Sequence, residues 1–118
     1  MRVTELDISE QAIEDFLAGD DGEPVVLVNL VRIRSGREDA YRRYGEVVGP
    51  LLARVGAEIV YSGSWRGALI GSDRWDRAVV ARYPHRSALA ELVRDPEFQA
   101  ATPLRHDAVE AGLLYAFA

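Results

Sequence analysis

The run VVLVNLVRIR at residues 25–34 constrains the fold more than any other segment. It is rich in β-branched residues and almost continuously apolar, which is typical of a strand covered on both faces. Alternate side chains of a strand point to opposite faces. One face holds Val26, Val28 and Leu30, and the other holds Leu27, Asn29, Val31 and Ile33. The fold must therefore supply an apolar layer on each side of this strand.

Helical patterns flank this run. Ser9 suits the N-cap of a short first helix. Side chains spaced three and four apart predict a long helix over residues 39–56, with Gly56 as its C-terminal cap. Pro50 removes one backbone donor from this helix, so either the helix is kinked there or it restarts near Gly49.

Three further strands follow from the apolar pattern. We predict them over residues 57–71, with a bend or bulge at Gly63 and Gly67, over 77–84 and over 113–118. Helical pieces over residues 85–93 and 97–112 separate the last two strands. After a helical extension over residues 1–24, the order over 25–118 is β-α-β-β-α-β. This is the ferredoxin-like arrangement in a single α+β domain, an antiparallel sheet with helices on one face.

The predicted sheet has a second face that the predicted helices leave uncovered. Both faces of the first strand are apolar, so a single copy would expose a large apolar surface, and such surfaces usually indicate association. Two copies that pack their sheets face to face would bury it. We therefore expect a homodimer that forms a dimeric α/β barrel.

Composition excludes several partners and chemistries. The chain has 118 residues and a net charge of −5, and it carries no basic stripe that would bind nucleic acid. No apolar run approaches the roughly 18 residues of a membrane span, and the N-terminus does not resemble a signal peptide. We therefore expect a cytoplasmic protein that binds neither nucleic acid nor membrane. The absence of cysteine and lysine excludes disulfides, thiolate metal sites and Schiff bases.

No catalytic motif stands out in the chain. The motifs G-x-S-x-G, G-x-G-x-x-G and H-x-x-x-H and the phosphate-binding loop are all missing. The two histidines are far apart in the sequence and make a poor metal site. We expect no metal and no organic cofactor.

Four segments of the chain form a recognisable pattern. They are GEPVVLVNLVRIR, AYRRYGEVVGPLLARVGAEIVYSG, RWDRAVVARYP and RDPEFQAATPLR, in order over about residues 22–114. Together they resemble the domain of unknown function 1330 family. The family belongs to the dimeric α/β-barrel superfamily, so the resemblance implies the fold that the element pattern predicts. Its superfamily includes cofactor-free monooxygenases, haem-degrading enzymes, muconolactone-type isomerases and sugar mutarotases, whereas the family itself is largely uncharacterised.

The family pattern coincides with several polar and aromatic positions of this chain. These are Asn29, Tyr41, Tyr44, Pro50, Gly56, Trp75, Asp76, Tyr83, Pro84 and Arg105. Two positions depart from it: His85 stands where the family usually has a helix-capping serine, and Leu104 stands where a histidine is common. Chemistry that depends on that histidine is therefore not implied for this chain.

Asn29 and Arg82 are the polar residues that stand out within the apolar strands. A buried amide needs hydrogen-bond partners. In related barrels an asparagine on this strand contacts substrate; the alternative is a bond to a loop or to the second copy. Arg82 either anchors a substrate carboxylate or enolate, or pairs with Glu58 on the neighbouring strand. We take Asn29, Tyr41 and Arg82 as the candidate catalytic residues.

Four residues are candidates for substrate binding. They are Tyr44, Tyr61, Trp65 and Arg105. Tyr41 and Tyr44 lie on the apolar stripe of the long helix, and we predict that Tyr44 packs in the core while Tyr41 offers its hydroxyl to a cavity. Tyr61 and Trp65 share one face of the following strand.

Two residues of the last predicted helix can be explained without a functional site. In a purely structural role, Arg105 would bond loop carbonyls or pair with Asp95 or Asp76. His106 is placed where a general base could act, but a lone histidine on a helix usually lies at the surface.

These residues support two hypotheses. The first is a small-molecule-binding dimeric barrel, catalysing proton transfer, cyclisation or oxygenation of an enolisable or phenolic metabolite without a cofactor. The second is a non-catalytic dimeric binding or structural module. A pocket in which Asn29 and Arg82 converge would favour the first hypothesis, and a barrel filled by side chains would favour the second.

Overall fold

A four-stranded sheet and five helices make up residues 6–118, the part of the chain that the computed structural model describes. In chain order the elements are α1 (Glu10–Ala18), β1 (Val25–Ile33), α2 (Glu38–Arg54), β2 (Glu58–Ser64), β3 (Arg77–Tyr83), α3 (Arg86–Arg94), α4 (Pro96–Ala100), α5 (Thr102–Ala108) and β4 (Val109–Phe117). Residues 1–5 of the predicted N-terminal extension lie outside the described part. None of these five helices combines the length and the apolar character that a membrane crossing requires.

The strands pair antiparallel in the order β2-β3-β1-β4, which places the apolar run of β1 in the interior of the sheet. The helices cover one face of the sheet, which we call the helix face. The strand residues buried on it are Val25, Leu27, Val31, Ala81, Tyr83 and Val109. The element order and the one-sided helix layer confirm the predicted ferredoxin-like α+β fold.

The opposite side of the sheet, which we call the open face, has no fully buried side chain among the described residues. The strand registers place on it Val26, Val28, Leu30 and Arg32 of β1, Glu58, Tyr61 and Gly63 of β2, Ala78, Val80 and Arg82 of β3, and Ala111, Leu113, Tyr115 and Phe117 of β4. Tyr61, Tyr115 and Phe117 are each more than half exposed. The sheet therefore has the uncovered apolar surface that the sequence predicts.

α1 packs against α3. Its N-cap is the predicted Ser9, whose hydroxyl accepts a hydrogen bond from the Ala12 N–H at 3.1 Å. Ile13 is wholly buried in the main core cluster. Arg86 of α3 donates to the carbonyl oxygen of Phe16 at 3.1 Å. The N-terminal helix is thus fastened to the helix layer by both apolar burial and a hydrogen bond.

α2 is one continuous helix, which excludes the alternative of a restart near Gly49. It ends in a Schellman motif. The Gly56 N–H donates to the Ala53 carbonyl oxygen at 3.1 Å, and the Ala57 N–H donates to the Leu52 carbonyl oxygen at 3.0 Å. Gly56 adopts a φ of 80°, the left-handed conformation that favours glycine at this position. The predicted glycine is therefore present at the helix end. It directly follows Val55, which is the C-cap residue of α2.

β2 is shorter than the sequence predicts. It ends at Ser64 rather than near residue 71, because Gly67 and Gly71 adopt positive φ values of 148° and 108° that interrupt an extended strand. The bulge lies between Ile59 and Tyr61 rather than at a glycine. Residues 65–76, which connect β2 to β3, form an irregular segment that we call the arm.

The last predicted helix and strand also have different boundaries. α4 and α5 are separated at Ala101, and Pro103 in the first turn of α5 lacks the N–H that a continuous helix would use. β4 begins at Val109 rather than at residue 113, because Val109 pairs with Ile33 beyond a register shift between β1 and β4.

Replacing Gly56 by alanine should destabilise the protein. The alanine backbone would have to adopt the left-handed conformation, at a cost of about 1–2 kcal/mol. Its Cβ would also lie 3.3 Å from Cγ of Pro84. The matched control is Gly45→Ala at an exposed position of α2, where no other atom lies within 4 Å of the added Cβ. We expect this substitution to stabilise the protein by up to about 1 kcal/mol. Urea unfolding at equal protein concentration measures both, and equal effects would contradict this account of the helix end.

Candidate functional site

Arg77, the first residue of β3, lies on the helix face without an acidic partner. In the sheet it pairs with Val31 of β1 and Ser64 of β2. Its Nη1 donates to the Ser64 hydroxyl at 3.2 Å, and its Nη2 donates to the Ser62 hydroxyl at 2.5 Å. Its Nε is buried without a hydrogen-bond partner, and no ion pair joins it to a carboxylate of residues 6–118. A sheltered guanidinium in this state favours an anion.

Asn29 lies on the same face as Arg77 and diagonal to it. Its direct partners in the sheet are Val79 on β3 and Leu114 on β4. The Asn29 side chain is half-buried, and no hydrogen bond joins its amide to another group within the described chain. Because an amide carries two donor hydrogens and an acceptor oxygen, this side chain is available to a bound molecule.

Tyr41 brings a phenol from α2 to the same region. Its half-buried ring packs against the cluster that contains Val31 and Val109. Burial raises the pKa of the Tyr41 phenol above its ordinary value of 10.0; nearby Arg77 opposes the rise and Tyr44 adds to it. The phenol therefore stays protonated near neutral pH, and its hydroxyl makes no hydrogen bond within residues 6–118. It is positioned as a donor.

We call Asn29, Tyr41, Ser62, Ser64 and Arg77 the Arg77 site. β1, α2, β2 and β3 each contribute to it, so the site depends on the sheet register and on the long helix. Its guanidinium, phenol and amide supply hydrogen-bond donors on one face of the sheet, the kind of group that binds an anion. The guanidinium itself is directed at Ser62 and Ser64 of β2. The described residues include no group of acidic or histidine side chains that could hold a metal ion.

Arg105 on α5 holds the segment before α1 against α2. Its Nε donates to the Leu6 carbonyl oxygen at 3.1 Å, and its Nη2 donates to the Asp7 carboxylate at 2.5 Å. Its Nη1 donates to the Tyr44 hydroxyl oxygen at 3.0 Å. Tyr44 therefore has a protein partner for its hydroxyl, whereas Tyr41 has none among the described residues.

The prediction that Arg105 pairs with Asp95 or Asp76 is wrong. Asp95 pairs with Arg54 at 2.8 Å, and Asp76 pairs with Arg74 at 2.5 Å. Because the partners of Arg105 come from the segment before α1, the spacing of residues around α5 alone could not identify them.

Tyr83, also on the helix face, is a phenol confined to its neutral form. Burial, with a smaller contribution from Tyr44, raises its pKa to about 12. Its relative exposure is 4%. It belongs to the main core cluster and is too enclosed to meet a ligand in this structure.

A cavity of about 210 Å³ lies at the same end of the sheet as the Arg77 site, but mainly on the open face, to which Leu30, Tyr61 and Ala78 belong. Its apolar and aromatic lining comprises Leu30, Tyr61, Trp65, Trp75 and Ala78. Ser64 and Arg77 also line it, so the cavity and the Arg77 site share two residues. The structure thus gathers Tyr61 and Trp65 around one cavity with Arg77. A planar ring would fit the aromatic walls of this cavity.

Arg82 lies elsewhere. It is exposed on the open face, directly opposite Glu58 of β2, and no ion pair joins the two side chains. Because Asn29 and Tyr41 are on the other side of the sheet, the structure does not bring Arg82 to them. The predicted convergence of Asn29 and Arg82 is therefore absent, and a ligand-binding role of Arg82 stays a prediction.

Arg77 carries a signal in the sequence that could have identified it. In RAVVARY it alternates with Val79 and Ala81, the residues of β3 that share the face of Asn29. Ser62 and Ser64 alternate on the neighbouring strand and face the same way. Two hydroxyls opposite an arginine mark the site once the strand register is known.

Comparison with known proteins identifies a family but no activity. Residues 28–116 match the family described as Domain of unknown function (DUF1330). No curated protein sequence matches the chain.

Several solved structures share the fold. A protein of unknown function from Rhodopseudomonas palustris has 32% sequence identity and a TM-score of 0.88, with coverage of 96% of this chain and 95% of that chain. A dimeric protein of unknown function and ferredoxin-like fold from Bacteroides fragilis has 15% identity and a TM-score of 0.57, covering 80% of this chain and 94% of that chain. A dimeric ferredoxin-like protein of unknown function from Thermobifida fusca has 18% identity and a TM-score of 0.57, covering 83% and 92%. The last two likenesses show the fold alone.

Replacing Asp7 by asparagine should cost stability at neutral pH but not in strong acid. Partial burial raises the pKa of the Asp7 carboxyl, but hydrogen bonds from Arg105 and His106 outweigh it, so the folded-state pKa lies below 3.8. A carboxyl of this kind stabilises the fold above its unfolded-state pKa and loses that effect as the pH falls through the folded-state pKa. Because Asp7 is about half exposed, the loss at pH 7 should not exceed about 1 kcal/mol.

Urea unfolding at pH 7 and at about pH 2.5 checks this prediction. The control is Glu14→Gln on α1, an exposed acid that pairs with no basic group among the described residues; it should change little at either pH. A difference between Asp7→Asn and the parent that persists unchanged in acid would contradict the role given to the carboxylate.

Proposed function

The chain belongs to the DUF1330 family, and from the geometry of the Arg77 site we propose that it binds a small organic anion as a homodimer, without a metal or organic cofactor. The ligand would be a carboxylate, an enolate or a phenolate. The observation that carries the proposal is the sheltered guanidinium of Arg77, whose Nε has no hydrogen-bond partner among residues 6–118.

The energetic argument concerns charge. A cation withdrawn from water loses solvation, and two serine hydroxyls supply hydrogen-bond acceptors but no negative charge to offset it. The neighbouring Asn29 amide and Tyr41 hydroxyl also lack partners within the described chain. The buried Nε of Arg77 favours a ligand over a purely structural role, since buried polar groups are normally paired. The Asn29 amide and the Tyr41 hydroxyl are partly accessible and are free to bond a ligand near it.

The same groups suit catalysis of a limited kind. Arg77 and Asn29 would stabilise negative charge that develops on an enolate or phenolate oxygen. The protonated Tyr41 phenol would donate to the same oxygen. We therefore extend the proposal to proton transfer, cyclisation or oxygenation of an enolisable or phenolic metabolite, with the substrate supplying its own acidic proton or its electrons.

One feature favours the second candidate function, a non-catalytic binding module. The Arg77 site as defined contains no carboxylate or imidazole that could act as a general base. His106 is exposed and bonded to the Asp7 carboxylate at 2.9 Å, and His85 is bonded to the Ser87 hydroxyl at 2.7 Å. A protein that only binds its anion would need no base.

The homodimer is the second part of the proposal. Tyr115 and Phe117 at one edge of the open face and Tyr61 near the other are each more than half exposed. Pairing two open faces would bury these aromatic side chains together with the central apolar run of β1. The two dimeric neighbours with the same fold support this arrangement.

Replacing Arg77 by methionine should abolish anion binding without harming the fold. Benzoate, salicylate, 4-hydroxybenzoate and pyruvate serve as probes in ligand-observed NMR and calorimetry. We expect at least tenfold weaker binding, because the probe would lose a charge-assisted hydrogen bond worth about 1.5–3 kcal/mol. The melting temperature should be unchanged or higher, because a sheltered unpaired charge is removed.

The matched control is Arg43→Met on α2, an exposed arginine that lies outside the Arg77 site and outside the open face. Probe affinity should stay within twofold of the parent. The proposal fails if no probe binds the parent protein, or if Arg43→Met weakens binding as much as Arg77→Met does.

Replacing Asn29 by alanine distinguishes a binding amide from a structural one. Because the amide has no partner within the described chain, we expect weaker probe binding and a change in unfolding free energy below about 1 kcal/mol. Leu27→Ala, two residues away on the same face and only 4% exposed, should cost about 2–5 kcal/mol. If Asn29→Ala destabilises as much as Leu27→Ala, the amide is structural.

A further inference from the structure

The tip of the arm exposes two large aliphatic side chains. The relative exposure is 100% for Leu69 and 99% for Ile70, the highest values among the large hydrophobic residues that are exposed in the described chain. Isolated exposed aliphatics are ordinary, but two adjacent ones with no contact to the rest of the molecule are not. Burying a side chain of this kind is worth about 1.5–3 kcal/mol, so a surface that covers the tip would gain stability.

The base of the arm is firmly attached to the sheet. The Trp65 N–H donates to the Asp76 carbonyl oxygen at 3.0 Å, and the Asp76 N–H donates to the Val31 carbonyl oxygen at 2.8 Å. The Ile33 N–H donates to the Asp76 carboxylate at 2.7 Å. These hydrogen bonds therefore fix the two ends of the arm against the sheet.

The returning limb of the arm contacts the open face. Arg32, an open-face residue of β1, donates from Nε to the Arg74 carbonyl oxygen at 3.0 Å. Its guanidinium also lies 5.0 Å from the centre of the Trp75 ring. The cavity of about 210 Å³ lies between arm residues and the open-face residues Leu30 and Ala78. The returning limb of the arm thus stands on the side of the sheet that lacks a helix layer.

We propose that the Leu69–Ile70 tip is a clamp that packs against a second copy of this chain. The inference rests on the homodimer of the proposed function, because the second copy would occupy the side of the sheet on which the arm stands. The tip would extend the apolar contact beyond the edge of the open face. By two-fold symmetry each copy supplies one clamp and receives one.

The clamp also completes the cavity beside Arg77. The cavity lies against open-face residues that the second copy would cover, so its remaining wall comes from that copy. Ligand binding and dimerisation would then favour each other, because a wall supplied by association is missing in the single chain.

The test is the double variant Leu69→Ser and Ile70→Ser. Both side chains are free of contacts within the described chain, so far-UV circular dichroism should be unchanged. We expect the dissociation constant of the dimer, measured by sedimentation equilibrium, to rise at least tenfold. The matched control is Val47→Ser on α2, a 46% exposed aliphatic on the helix side, which should leave the constant within twofold.

A second measurement uses the absence of cysteine in the chain. An environment-sensitive dye on Ile70→Cys should shift its emission to the blue as the concentration rises through the dimerisation range. The clamp is refuted if the parent dimerises but the double variant dimerises equally well or the dye does not respond. A monomeric parent refutes the homodimer and the clamp together. If the parent but not the double variant floats with anionic phospholipid vesicles, the tip binds a membrane instead and the clamp is refuted.

Discussion

An antiparallel sheet that is apolar on both faces, with helices over only one of them, is the constraint on which the rest of the structure depends. β1 lies in the interior of this sheet and contributes apolar side chains to each face. The helix layer buries Leu27 and Val31, while Val28 and Leu30 on the other side stay partly accessible. Hydrophobic burial is the main driving force of folding and association, so the uncovered face directs where a second copy would bind.

The functional proposal depends on where the helix layer stops. It buries the apolar centre of the sheet but leaves Arg77, at the start of β3, only half-buried. There Arg77 is sheltered enough to lose solvation and open enough to meet a ligand. Arg105 shows the contrasting case, because its guanidinium reaches a carboxylate, a carbonyl and a phenol and is thereby committed to the fold. The difference between the two arginines is the availability of protein acceptors, and it separates a binding role from a structural one.

Local sequence patterns predict most of the fold, since periodicity and capping are local. The interior position of β1, the Ser9 cap and the end of α2 at Gly56 follow from a few neighbouring residues each. The candidate site is harder, because alternation along β3 separates Arg77 from Arg82 without telling which of them faces the helices. That assignment needs the pairing of β3 with β1 and β2, which depends on contacts between distant segments. The partners of Arg105 and the course of the arm were missed for the same reason.

Family membership and fold leave the activity open, and function must be argued from the site. The argument still begins with the open face, because the proposed dimer determines which side chains meet solvent. Sedimentation equilibrium of the unmodified protein at micromolar concentration tests that claim most directly. The account predicts a species of twice the 13.1 kDa of one chain. A folded, soluble species of 13.1 kDa at that concentration would contradict it.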